Sequence, residues 1–117
     1  MKKGIIAVMT AALLLAGCGG SSLSEAVQQY GNQAVKAIED YQAGTITVAE
    51  ANDIVGSCCD KVFAMDLSDI EDSTFSMTLS TASSQLLMLK ISERNGESTK
   101  EGIEDLNETL KKLKEKL

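Results

Sequence analysis

Four short sequences of the form Ser/Thr-x-x-Glu recur along the chain, and they restrict the folds open to it more than any other feature. They occupy residues 22–25, 47–50, 68–71 and 98–101. In a capping box of this form the hydroxyl group accepts a hydrogen bond from the N–H of the third helical residue, and the glutamate accepts one from the N–H of the capping residue. Each sequence therefore predicts a helix start, and Gly44 and Gly96 lie where two of the preceding helices should end.

Apolar residues follow a helical spacing in three of the four segments. The stripes comprise Leu23, Val27, Tyr30, Ala34, Ala37, Ile38 and Tyr41 in the first segment, Val48, Ala51, Val55, Cys58, Val62 and Met65 in the second, and Ile103, Leu106, Leu110, Leu113 and Leu117 in the last. Residues three and four positions apart share one face of a helix, so each stripe must be buried against other helices.

The third segment admits two interpretations. Residues 73–81, "STFSMTLST", alternate between polar and apolar side chains, which favours a strand, but only the short "TITV" at 45–48 could pair with it. A helical register instead aligns Phe75, Leu79, Ala82, Leu86 and Leu89 on one face. An isolated pair of strands is marginally stable, so we expect residues 74–80 to be helical.

The expected fold is therefore all-α, a small four-helix bundle with helices at about 23–43, 48–65, 69–95 and 99–116. A chain of 117 residues has room for one domain, assigned here to residues 23–117. The complete absence of proline agrees with uninterrupted helices.

The N-terminal leader has the layout of a secretory signal peptide. A positive start at Lys2 and Lys3 precedes an apolar run from Ile5 to Ala16 that is broken only by Thr10. The run is too short to cross a membrane, which needs about 20 apolar residues. This layout predicts export from the cytoplasm.

The sequence Leu15-Ala16-Gly17-Cys18 closely resembles the lipobox of bacterial lipoproteins. The resemblance implies a signal peptide over residues 1–17, cleavage between Gly17 and Cys18, and lipidation of Cys18, with residues 18–22 as a flexible tether. It also implies an anchor on the extracytoplasmic side of the bacterial cell envelope. Gly19 stands where an aspartate would signal inner-membrane retention, so the outer membrane is open to the protein if its host has two membranes. An ordinary signal peptide and an uncleaved anchor are the alternatives.

Charge limits the partners of the chain. Without Lys2 and Lys3 the sequence carries 9 basic and 17 acidic residues, so nucleic acid would be repelled. Between Glu39 and Asp72 there are nine acidic residues and one basic residue, Lys61. The lysine-rich end at 110–117 fits either an outer helix of the bundle, which we expect, or a segment lying on a membrane surface.

Few residues suggest catalysis or the binding of a metal ion or cofactor. Cys58 and Cys59 are adjacent and the chain has no histidine, so we expect buried, packing thiols, with an intermolecular or redox role and a metal site as alternatives. The acidic residues of 65–73 lack the spacing of a calcium loop. We therefore predict no catalytic, cofactor-binding or metal-binding residues, and we expect the protein not to be an enzyme.

Two functions are consistent with these features. The first is a membrane-tethered envelope lipoprotein that acts as a protein-interaction, adaptor or inhibitor module on a protein partner in the cell envelope. Its candidate partner face is the acidic set Asp66, Asp69, Glu71 and Asp72, and the Ser/Thr-rich residues 73–84 are the next candidate. The alternative is a helical-bundle binding module for an apolar small ligand, held where small side chains face Met77 and Met88.

Overall fold

The computed structural model describes residues 23–117, and within that range every regular element is a helix. The helices are α1 (Glu25–Gln42), α2 (Val48–Phe63), α3 (Ile70–Arg94) and α4 (Lys100–Lys116). The predicted all-α four-helix bundle is confirmed, and residues 74–80 are helical rather than extended. The predicted signal peptide, the cleavage site at Gly17 and Cys18, and the tether before Leu23 lie outside the described residues.

Consecutive helices pack side by side, α1 on α2, α2 on α3 and α3 on α4, and α4 returns to touch α1. The backbone N–H of Ser24 donates to an oxygen of Asp72 at 2.9 Å, which places the start of α1 beside the start of α3. An ion pair of 3.6 Å between Lys116 and Glu71 brings the last turn of α4 to the same place. We call this the lower end of the bundle: α1 and α3 begin there, and α2 and α4 end there.

The predicted apolar stripes form the core. In α3 the buried side is made by the five residues that the helical register aligned, among them Phe75 at 2% exposure. The buried apolar residues are Leu23, Val27, Ala34, Val35, Ala37, Ile38, Val48, Ala51, Val55, Cys58, Cys59, Val62, Phe75, Leu79, Ala82, Leu86, Leu89, Leu106, Leu110 and Leu113. Because leucine, valine and alanine dominate this set, the bundle is held by close packing of aliphatic side chains.

The helix starts match the predicted capping boxes at one position. At the start of α2 the Thr47 hydroxyl accepts from the N–H of Glu50 at 3.1 Å, and the Glu50 carboxylate accepts from the N–H of Thr47 at 3.0 Å. The box predicted from Ser68 is wrong, because Asp69 caps α3 instead. Its carboxylate accepts from the N–H groups of Glu71 and Asp72 at 2.8 and 3.2 Å. A carboxylate is a stronger acceptor than a hydroxyl and is favoured by the positive end of the helix dipole.

The box predicted from Ser98 is not formed, and the box predicted from Ser22 falls partly outside the described residues. Helix α1 follows Ser24, whose side chain makes no capping bond, and Ser22 of the predicted box lies outside the described residues. Helix α4 follows Thr99 without a side-chain capping bond, and the Ser98 hydroxyl accepts from the N–H of Lys100 at 3.4 Å. The helix ends after α1 and α3 agree with expectation, since Gly44 and Gly96 have φ of +80° and +70°.

Candidate interaction surface

The four acidic residues chosen from the sequence lie at the lower end of the bundle, around the connection between α2 and α3. Asp66 accepts from the N–H of Ser68 at 3.1 Å, and Asp69 caps α3. Glu71 pairs with Lys116, while Asp72 accepts from the N–H of Ser24. Each carboxylate therefore has a partner within the fold.

Asp72 differs from the other three because it is buried, with 6% of its surface exposed. Its carboxylate satisfies a backbone N–H at the start of α1 that has no acceptor within its own helix, which is a structural role. It is therefore not part of an accessible face. The acidic surface at this end is reduced to Asp66 and Asp69, which are exposed, and to the half-buried Glu71.

The adjacent cysteines are free thiols packed in the core, as expected. Burial raises the pKa of Cys59 to about 11, and the neighbouring Cys58 and Asp60 add to the increase. Burial also raises the pKa of the Cys58 thiol. Both thiols are therefore protonated and weakly nucleophilic at neutral pH. Within residues 23–117 no group of three or more His, Cys, Asp or Glu side chains is placed to hold a metal ion.

The outer side of α3 carries large apolar side chains in contact with solvent. Met77 and Met88 are 67% and 63% exposed, and Leu87 and Ile91 are also exposed. We define the outer face of α3 as these four residues with the exposed Thr81 and Ser84 between them. No charged residue occurs between Asp72 and Lys90 in the sequence, so this face is uncharged from Met77 to Met88, and Ile91 continues it just beyond Lys90.

The two methionines do not lie where the apolar-ligand hypothesis placed them, facing small side chains inside the bundle. Successive residues in a helix turn by about 100°, so once Phe75, Leu79 and Leu86 face the core, positions 77 and 88 fall on the opposite side. The methionines therefore face solvent.

An open depression of about 450 Å³ lies between α2 and α3, beside the outer face of α3. Small residues line much of it, namely Gly56, Ser57, Ser83 and Ser84. Leu87 borders it on α3, and Asp53 and Asp60 border it on α2. A second open depression of about 320 Å³, between α1 and α2, includes Tyr30, Cys58 and Lys61. The first depression therefore joins an apolar helix face to two carboxylates.

No protein-family model, curated protein sequence or solved structure matches this chain. None of the helices described between residues 23 and 117 is long and apolar enough to cross a membrane.

The outer face of α3 was only partly predicted from the sequence. The Ser/Thr-rich residues 73–84 are a candidate from the sequence because of their hydroxyl groups. In the structure, it is the exposed Met77 and Met88 that make the face apolar. The signal was present in the sequence. Positions 77, 81, 84 and 88 recur at helical spacing opposite the core stripe within an uncharged stretch of the chain, and position 91 continues the spacing.

Proposed function

We propose that this protein is a small lipoprotein tethered to the bacterial cell envelope, and that its helical domain binds another envelope protein as an adaptor or inhibitor. The observation that carries the proposal is the exposed, uncharged outer face of α3. Contiguous exposed apolar surface is a feature of protein interaction sites, whereas single exposed apolar residues are ordinary.

The lack of charge on this helix is unusual for this chain. Charged residues make up 24% of the sequence, so a stretch as long as 73–89 would be expected to carry about four of them. It carries none, although its outer positions face solvent. Solvent-facing helix positions normally hold charged side chains, which keep a surface soluble and free of partners. Their absence here favours a surface that is covered when the protein functions.

The neighbouring carboxylates indicate the chemistry of the partner. Asp53 and Asp60 border the depression next to Leu87. The one basic residue of α2 is Lys61. The partner surface that fits best is an apolar strip flanked by basic side chains. The strip packs on the outer face of α3, and a basic side chain of the partner reaches the carboxylates of Asp53 and Asp60. Opposite charges of this kind speed association and orient the partner more than they add affinity.

The tether part of the proposal is supported by the lipobox-like sequence ending at Cys18. Two acyl chains give durable anchoring, because each buried methylene contributes about 0.8 kcal/mol and a single chain binds only reversibly. Replacement of Cys18→Ser should abolish fatty-acid labelling and leave the leader uncut. Normal maturation and labelling of that variant would rule the tether out.

The interaction is tested by cross-linking the full chain in its own envelopes and comparing two variants that add the same charge. Met88→Asp places a carboxylate on the outer face of α3, while Gln29→Asp places one on an exposed position of α1. Loss of a buried methionine contact costs about 1.5–3 kcal/mol, so Met88→Asp should reduce the recovered partner at least about tenfold. Gln29→Asp should not change recovery. Equal recovery with both variants would contradict the proposed docking surface.

A further inference from the structure

The N-terminal end of the described chain lies at the lower end of the bundle, together with two exposed apolar residues. Leu23 precedes the start of α1, Phe63 ends α2, and Ile70 begins α3. The hydrogen bond from Ser24 to Asp72 fixes the start of α1 beside the start of α3. Any anchor upstream of Leu23 is therefore attached next to Phe63 and Ile70.

Phe63 and Ile70 are exposed although both are large and apolar. Ile70 is 78% exposed and Phe63 is 50% exposed, while their helix neighbours Val62 and Phe75 are buried in the core. The fold therefore leaves most of the surface of Ile70 and half of the surface of Phe63 in contact with water. Apolar side chains at one end of a tethered domain leave water when they enter the headgroup region of a bilayer.

The length of chain between Cys18 and Leu23 limits which part of the domain can reach the membrane. Five residues of fully extended chain cover at most about 18 Å. Helix α3 has 25 residues and is about 37 Å long, so its far end cannot approach the bilayer unless the whole bundle lies down. The lower end is within reach in any orientation that the tether allows.

The charges around the helices distinguish an upright bundle from one that lies on the outer face of α3. Helices that lie in a membrane surface carry lysine or arginine along the sides of their apolar face, whereas the basic residues of α3, Lys90 and Arg94, are confined to its far end. The lower end carries exposed charges of both signs, with Asp66 and Asp69 before α3 and Lys61 and Lys116 at the ends of α2 and α4, so contact with lipid there does not depend on anionic headgroups. The favoured arrangement is therefore upright contact with zwitterionic lipid.

We infer that the lower end of the bundle rests on the bilayer, with Phe63 and Ile70 in the headgroup region and the outer face of α3 directed sideways. The inference rests on the proposed lipid anchor at Cys18. It assigns the lipid contact to Phe63 and Ile70 at the lower end, and the protein contact to Met77 and Met88, farther along the same side of α3. A tethered domain held in this way keeps its protein-binding face accessible.

The absence of tryptophan from the sequence allows a direct test. Full-length lipidated protein carrying Phe63→Trp or Ile70→Trp is reconstituted in zwitterionic phosphatidylcholine vesicles with brominated acyl chains. Both indole groups should be quenched at least about twofold relative to unbrominated vesicles, because apolar side chains at the interface are buried about 5–10 Å into the boundary between headgroups and acyl chains, where they meet the bromine atoms. Met88→Trp is the matched control and should be quenched no more than a water-exposed indole.

Lipidation of Cys18 is scored separately by mass spectrometry of the same samples, and circular dichroism confirms that each variant is helical. Unquenched indoles at 63 and 70 in lipidated, folded protein would overturn the inference and leave the lipoprotein proposal standing. Equal quenching at 88 would show that the bundle lies on α3, which also overturns it. Protein recovered without lipid on Cys18 would overturn both the inference and the proposed tether.

Discussion

Replacement of Gly31→Ala should destabilise the bundle although alanine is the better helix former. Gly31 lies in the interior of α1, where it faces α3 and the end of α4. A Cβ atom built at this position would lie 2.6 Å from Cζ and 2.8 Å from Cε2 of Phe75, and 3.1 Å from Cδ2 of Leu117. Because the Phe75 ring is buried, with 2% of its surface exposed, these contacts require the ring or the helices around it to move.

The expected magnitude follows from two opposing contributions. Overpacking of a well-packed core costs about 1–3 kcal/mol, and exchanging glycine for alanine within a helix contributes about 1 kcal/mol of stability. The net loss for Gly31→Ala is therefore about 1 kcal/mol. Gly56→Ala in α2 provides the matched control, since the nearest atom to its added Cβ is Ser83 Oγ at 3.9 Å, an ordinary contact. It should gain the full helix contribution of about 1 kcal/mol.

Both variants gain the same helix contribution, so it cancels when their free energies of unfolding are subtracted. The difference that remains is the overpacking cost of about 2 kcal/mol. Urea unfolding followed by circular dichroism measures it as a difference in midpoints at constant slope. Adding Phe75→Leu to each variant should shrink that difference, because the ring that obstructs the new methyl group is gone. Equal stability of Gly31→Ala and Gly56→Ala would refute the reasoning about the contact between α1 and α3.

Three further predictions follow from individual side chains. Asp69→Ala should cost about 1 kcal/mol in urea unfolding while Ser68→Ala should leave the midpoint unchanged, because Asp69 provides the observed cap of α3. A pKa of about 11 for Cys59 leaves about 0.1% thiolate at pH 8, so disulfide reagents should modify it only after unfolding, and rapid labelling of folded protein would contradict its burial. Burial, followed by the hydrogen bond and charge of Glu93, raises the pKa of Tyr41 from 10.0 to about 12. The resulting stabilisation is complete below pH 10 and is lost as the pH rises toward 12, so Tyr41→Phe should flatten the dependence of stability on pH in that range.

The positions of the helices could be predicted from local sequence because their determinants are local. The apolar stripe of α2 recurs at three and four residues, and it is buried as expected, with Met65 packed at its end. Gly44 and Gly96 adopt the positive φ that ends α1 and α3, because a residue without a Cβ atom enters this conformation at little cost. The third segment also has a strand-like pattern, but its helical state is correctly predicted because a strand there would have no adequate partner.

The caps were less predictable because several acceptors compete within a few residues. Ser68 and Asp69 both precede α3, and the sequence pattern favoured the serine, while the structure uses the carboxylate. The pattern marks where a helix begins to within one or two residues. Which group bonds to the free N–H atoms depends on the backbone angles of the preceding turn.

The sequence by itself determined that the chain forms four helices, where each begins and ends to within about two residues, and which stripe each buries. These properties depend on hydrogen bonds and side-chain spacing within one or two turns of helix. Only the tertiary structure decided that Asp72 belongs to the interior, because its partner Ser24 is 48 residues away in the sequence. The helical register already places Met77 and Met88 opposite the core stripe, but only the packing of α2 and α4 on α3 decides that no further helix covers that side and that both methionines are exposed.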